Sequence, residues 1–316
     1  MDMVEMEAQE NKTMKNVLLI INCIILSIGN CGGPMIMRLY YIHGGKRVWL
    51  SSFLQTAGFP VIFITLLIGY LCRKRHDNSI IFIKLPLFVA SAIIGVITGL
   101  DDYLYVYGLS RLPVSTFVLL TIGAAVLAMH TSEDRPAGES NKEYLIGFFI
   151  TVMAAALYGF ILPLVELVYN KAKQPIVYTL DLEIQLVLCV FASLFCTMGM
   201  LINNDFKVIP REARQYELGE TKYYVVVVLS AIIWQGFFLG SIGVISCASS
   251  LLSGIIIAVL LPATEILVVI FYKEKFQAER GIALVLSLWG FLSYFYGEMK
   301  QSKKQRKIHK SETEQS

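Results

Sequence analysis

Nine apolar segments, most of them about long enough to cross a bilayer, leave this 316-residue chain few ways to fold. They lie roughly at 16–37, 48–71, 85–108, 113–129, 144–169, 180–202, 223–246, 249–272 and 281–297. A hydrocarbon core about 30 Å thick takes about 20 helical residues. Charged residues make up 16% of the chain and hydrophobic ones 56%, against about 25% charged in soluble domains. These features predict an all-α polytopic membrane protein. Its short loops imply antiparallel neighbours.

The only polar ends are 1–14 and 300–316, so any activity is expected within the membrane. The N-terminus is acidic and lacks a basic leader region, so the run from Val17 reads as a first spanning helix and not as a cleaved signal. Lys300, Lys303, Lys304, Arg306, Lys307 and Lys310 form a basic tail beside the last segment. Such charges favour the cytosolic side and anionic lipid. The longest connection, 203–222, carries both signs and reads as a solvated loop with a short surface helix.

Other function classes fit poorly. A net charge of +3 gives no case for a nucleic-acid partner. Six cysteines (Cys23, Cys31, Cys72, Cys189, Cys196 and Cys247) fall at irregular spacing, without a metal-ligand pattern. His43, His76, His130 and His309 all sit in loops or the tail. With no Ser/His/Asp set and no phosphate loop, the chain is not read as an enzyme. No cofactor or metal is expected.

A weak internal repeat is informative. Pro113-Val114-Ser115-Thr116 matches Cys247-Ala248-Ser249-Ser250 at an offset of about 134. Val118-Leu-Leu-Thr-Ile-Gly-Ala-Ala matches Leu284-Val-Leu-Ser-Leu-Trp-Gly-Phe at about 166. The jump implies that the first half lacks about 32 residues present in the second. Repeats of this kind mark transporters whose site lies at the repeat interface. The expected units are a segment 1–14, a shortened first repeat 15–130, a second repeat 144–299 and the tail 300–316.

Ile28-Gly-Asn-Cys-Gly-Gly-Pro34, Thr56-Ala-Gly-Phe-Pro60, Gly99-Leu-Asp-Asp-Tyr-Leu-Tyr105 and Leu112-Pro-Val-Ser-Thr116 resemble motifs of the plant purine permease family. So do Ile233-Trp-Gln-Gly-Phe-Phe-Leu-Gly240, Cys247-Ala-Ser-Ser250, Lys275-Phe-Gln-Ala278, Ser287-Leu-Trp-Gly-Phe291 and Ser293-Tyr-Phe-Tyr-Gly297. The resemblance covers nearly the whole chain, in order. It implies the drug/metabolite transporter fold, ten helices in two inverted repeats. It also implies proton-coupled uptake of adenine, cytokinins and related purines, here expected at the plasma membrane. The chain departs from the family after Thr116, where Phe117 runs straight into Val118-Leu-Leu-Thr-Ile-Gly. This agrees with the repeat comparison and puts transport by this form in question.

Polar residues within apolar segments are the candidate site. Asp101 and Asp102 lie inside 85–108, where a carboxylate costs about 2.5–3.5 kcal/mol at the bilayer centre. Either they serve as a proton or substrate site, or the helix ends before them and both meet water. As a buried pair they are expected to share one proton. Glu265 is a further intramembrane carboxylate. Glu166, Asp181 and Glu183 lie near segment ends, where they can reach water.

Asn30-Cys-Gly-Gly-Pro34 is expected to interrupt the first helix, freeing backbone for a ligand or merely kinking it for packing. Asn30 and Gln55 carry amides that donate and accept together, as a purine edge requires. Trp234 sits mid-segment, away from the interfacial belt, and offers a stacking face beside the Gln235 amide. Tyr103 and Tyr107 share a helix face near the acids, or belong to an interfacial belt.

In the expected cycle a carboxylate takes an external proton, the purine binds between the repeats, and rocking opens both to the cytosol. The alternative is a truncated isoform that does not transport. The piece 113–129 would reach about 26 Å as a helix, just short of the core. It is therefore expected to integrate poorly, leaving a cytosolic C-terminus and little transport.

Overall fold

The structure, a computed structural model, describes residues 3–72, 83–111, 141–171 and 178–272. The regular elements among them are all α-helices: α1 (Met3–Ile42), α2 (Val48–Thr56), α3 (Phe59–Cys72), α4 (Leu85–Arg111), α5 (Asn141–Lys171), α6 (Tyr178–Ile202), α7 (Asp205–Gln215), α8 (Glu220–Cys247) and α9 (Ser250–Tyr272). Among the described residues six stretches are long and apolar enough to span: Thr13–Ile42, Val48–Ile68, Leu85–Gly108, Phe149–Lys171, Thr179–Ile202 and Glu220–Cys247. Ser250–Leu260 is a shorter apolar helix. This is an all-α polytopic membrane protein. The segments 113–129 and 281–297 and the basic tail lie outside the described residues.

Two boundaries differ from expectation. The first helix is not interrupted, since α1 runs through Pro34. Proline removes one hydrogen bond from a helix, and the neighbouring helices hold the turn together. Asn30 Nδ2 donates to the Ile257 carbonyl of α9 at 3.3 Å, and the Tyr272 hydroxyl donates to the Met35 carbonyl at 2.8 Å. The glycines of this stretch serve close packing. A Cβ on Gly29 would collide with the backbone of Phe237, and one on Gly240 with the backbone of Leu26. Backbone contact between α1 and α8 follows, as small residues permit in membrane helices. The segment 48–71, by contrast, is two helices. The chain breaks over Ala57-Gly58, and Pro60 takes the first turn of α3, where its missing N–H costs nothing.

The α4–α6 pair repeats this device. A Cβ on Gly95 would strike the Leu188 carbonyl oxygen, and one on Gly99 would lie 2.9 Å from that of Ala192. Outer faces remain apolar, as at Ile20, Ile24 and Ile28 of α1 and Val225, Val228 and Ile232 of α8. These suit lipid.

Polar locks close both ends. At one end α7 is not simply a solvated surface helix, because Glu212 and Asp205 are buried. Glu212 accepts from the Tyr40 hydroxyl, the Tyr223 hydroxyl at 3.1 Å, Lys46 N at 3.3 Å and Arg47 Nε at 3.3 Å. Arg47 also reaches Asp205 at 3.6 Å. Burial pushes the Asp205 carboxyl above the usual carboxylate range, while Asn203 and Arg47 oppose the shift.

At the other end Asp181 and Glu183 are buried and do not open to water as expected. Glu183 accepts from the Tyr70 hydroxyl and from Ile83 N at 2.8 Å. Asp181 accepts from the Ser246 hydroxyl at 2.5 Å. Glu166 accepts from Ser250 N at 2.8 Å, which places a carboxylate at the positive end of α9.

Candidate substrate cavity

A cavity of about 140 Å³ lies among α1, α2, α4, α5, α8 and α9. Five residues singled out in the sequence share its wall: Asn30, Gln55, Asp101, Asp102 and Trp234. The helix α4 continues past both acids to Arg111. They are therefore not at a helix end, and their exposures are only 5% and 2%.

Each acid keeps one carboxylate oxygen, Oδ1 of Asp101 and Oδ2 of Asp102, without a hydrogen-bond partner among the described residues. Burying such a group uncompensated is costly, so the arrangement is poised for a donor that the described residues do not supply. Gln55 Nε2 donates to the Asp102 backbone carbonyl at 3.2 Å. Together with the Asn30 bond to α9, this commits one N–H of each amide to the fold.

Part of the lining is aromatic. Tyr105 and Phe237 meet the Trp234 ring edge-on, at centroid distances of 5.7 and 5.5 Å. Gly33 lies against the indole, where a Cβ would come within 2.8 Å of Cε2. The indole N–H is buried without a partner among the described residues. Tyr158 and Phe238 complete this side. A flat ring fits the chemistry, stacked on aromatic faces with its edge toward carboxylates and amide oxygens. A carboxylate accepts from an exocyclic amine or ring N–H, and a protonated one donates to a ring nitrogen.

The remaining candidates lie elsewhere. Tyr103 stacks on Trp49 at 4.0 Å, and Tyr107 packs 6.0 Å from Tyr103, so neither lines the cavity. Gln235 is buried beside Cys189, to whose sulfur it donates at 3.8 Å. Glu265 falls in α9, with its side chain outside the described residues. Sequence reasoning missed Tyr158, Phe237, Phe238 and Thr151. The spacing of Ala154, Ala155 and Tyr158 was the available signal, small residues one turn before a tyrosine on one face.

A second cavity of about 30 Å³ adjoins the first and shares Tyr158 and Phe238 with it. Its wall is mostly apolar, with Thr56, Thr98, Gln185 and Ser241 as polar exceptions.

A family model described as purine nucleobase transmembrane transport matches residues 17–121 and 117–304. Purine permease 3 of Arabidopsis thaliana is 55% identical over 338 aligned positions, covering 96% of this chain and 96% of the relative. Purine permease 2 of the same plant is 50% identical, covering 92% of this chain and 94% of the relative. These relatives are transporters and not enzymes. With six apolar stretches long enough to span among the described residues, and a match over nearly its whole length, the chain belongs to the purine permease family of purine nucleobase transmembrane transporters.

Proposed function

We propose that this protein carries purine bases and their derivatives, adenine and cytokinins among them, into the cell together with protons. The plasma membrane is the expected site. The observation that carries this reading is the meeting of Asp101 and Asp102 with aromatic side chains in one cavity. The purine ring stacks on Trp234. Asn30 and Gln55 accept from its N–H groups. The acid pair holds the coupling proton, and Glu265 remains a further candidate for that role. Saturable, pH-dependent uptake of labelled adenine by purine-auxotrophic cells expressing the chain tests the reading. Flat, pH-independent accumulation overturns it.

A second reading is favoured by particular observations. The two family matches overlap at 117–121, the site of the suspected deletion. The alignment with Purine permease 3 spans 338 positions against 316 residues here, at least 22 more than this chain can fill. Both fit a form that lacks a segment after Thr116, in which the first repeat 15–130 is incomplete, the tail 300–316 stays cytosolic and transport is weak. Restoring the relatives' segment after Thr116 should then raise uptake. Equal uptake by both forms would dismiss this reading.

A further inference from the structure

Helix α6 carries a buried polar stripe with no place in the cavity just described. Asp181, Gln185, Cys189 and Ser193 follow one another at four-residue spacing, which stacks them on one face. All four are buried, while Leu194, Met198 and Leu201 face outward. Gln185 Nε2 donates to Cys189 Sγ at 3.2 Å, and Ser193 Oγ shares a hydrogen bond of 3.0 Å with Thr56 Oγ1. Polar groups at membrane depth are expensive and mark ion or proton pathways.

The stripe begins beside the cavity. Cys196 Sγ donates to the Gly99 carbonyl of α4 at 3.7 Å, two residues before Asp101, and Cys189 lines the second cavity. Tyr158 lines both cavities, sharing the first with Asp101 and Asp102 and the second with Ser241. That space suits one or two waters, since each needs about 10–15 Å³ and two to four polar partners. The Gln185 carbonyl oxygen is buried in this region without a partner among the described residues, and Ser241, Thr56 and Thr98 add hydroxyls. One helical turn beyond Gln185 stands Asp181. Among the described residues the Ser246 hydroxyl of α8 bonds Asp181, its Oδ1 is buried without a partner, and the Tyr169 hydroxyl of α5 and the Cys247 thiol of α8 act on it electrostatically. Lys15 of α1 acts on Cys247. Glu183, two residues on, is occupied by Tyr70 and Ile83.

We propose that Asp181 is a second proton station, joined to Asp101 and Asp102 through Tyr158, Ser241 and water bound at Gln185. The inference rests on the proton coupling proposed above. In the transfer, the protonated member of the acid pair gives its proton to the relay, each hop breaking one O–H bond and making another. The Asp181 carboxylate ends protonated and the pair ends ionised. The proton then leaves at the end of the bundle where α3, α5, α6 and α8 finish or begin.

The test separates net proton-driven movement from exchange. Proteoliposomes holding the 316-residue chain are assayed for labelled adenine accumulation under an imposed proton gradient, and for counterflow against unlabelled internal adenine at equal pH. Asp181→Asn should lower proton-driven accumulation by at least about tenfold, the scale of losing one positioned proton-transfer group, while counterflow persists. Gln185→Leu should lie between it and the parent, and Asp181→Glu should restore accumulation. Parent-like accumulation by Asp181→Asn overturns the inference, as does equal loss of both activities, which marks a merely structural role. A parent chain with counterflow but no gradient-driven accumulation refutes the proton coupling beneath it. A parent with neither refutes the transport reading itself.

Discussion

Gly33→Ala offers a way to move the Trp234 face without removing it. An added Cβ would lie 2.8, 3.0 and 3.1 Å from Cε2, Cζ2 and Cδ2 of the indole. Carbon atoms rest at about 3.5–4.0 Å, so the ring must retreat by about 0.7–1 Å. Tyr105 and Phe237 stand edge-on at 5.7 and 5.5 Å and limit where it can go. Binding constellations tolerate about 0.5 Å of misplacement, and a stacked base is worth about 1–3 kcal/mol. Losing half of that, about 0.5–1.5 kcal/mol, raises the adenine Kd by about twofold to twelvefold. The fold should survive, because alanine is about 1 kcal/mol better than glycine in a helix interior, which offsets part of the overpacking cost. The assay is equilibrium binding of labelled adenine to the purified chain in nanodiscs, with melting followed in parallel. Trp234→Phe shortens the ring at the clash, so the double variant should lose less than the two single changes together, by about 0.5 kcal/mol or more. Parent-like affinity in Gly33→Ala would refute the placement of the purine on Trp234. Strict additivity in the cycle would refute the contact as the cause.

Joint replacement of Asp101 and Asp102 by Asn should abolish pH-dependent adenine uptake while the protein still inserts, and unchanged pH dependence in cells would contradict the proton role. Gln55→Leu should alter the ranking among purines with different edge groups in competition binding. Glu212→Ala strands the Tyr40 and Tyr223 hydroxyls and leaves Arg47 with only Asp205, so it should cost about 3–5 kcal/mol as a broken buried pair, read as detergent-solubilised unfolding; Glu212→Gln should cost less. Asp205 holds its proton to higher pH in the folded chain than its ordinary value of 3.8, so its ionisation works against the fold. Stability should fall as pH rises through the interval just above 3.8, and Asp205→Asn should flatten that slope in a pH series of melts.

What could be read in the sequence was what broke the apolar pattern. Asn30, Gln55, Asp101, Asp102 and Trp234 stand out against lipid-compatible neighbours, and the fold gathers all five around one cavity. Tyr158 and Phe238 do not stand out, because aromatic side chains on a spanning helix look alike whether they face lipid or a cavity. Asp181 and Glu183 looked solvated because they begin a helix. Their partners Ser246, Tyr70 and Ile83 are remote in sequence, so their burial was not legible. The Gly-Gly-Pro run in α1 invites a break by local propensity. Packing against α8 and α9 overrides it, whereas the Ala57-Gly58 step lets the chain part.

The glycine contacts divide the bundle into stiff and compliant parts. Where α1 meets α8 at Gly29 and Gly240, and where α4 meets α6 at Gly95 and Gly99, backbones touch with no side chain between them to yield. Each couple should therefore travel as a single plank. The cavity takes Asn30 and Trp234 from one plank and Asp101 and Asp102 from the other. A tilt of a few degrees between planks would part the aromatic wall from the carboxylates, while neither plank deforms. Substrate release should then be a matter of hinge geometry, with these glycines setting how sharply the two walls separate.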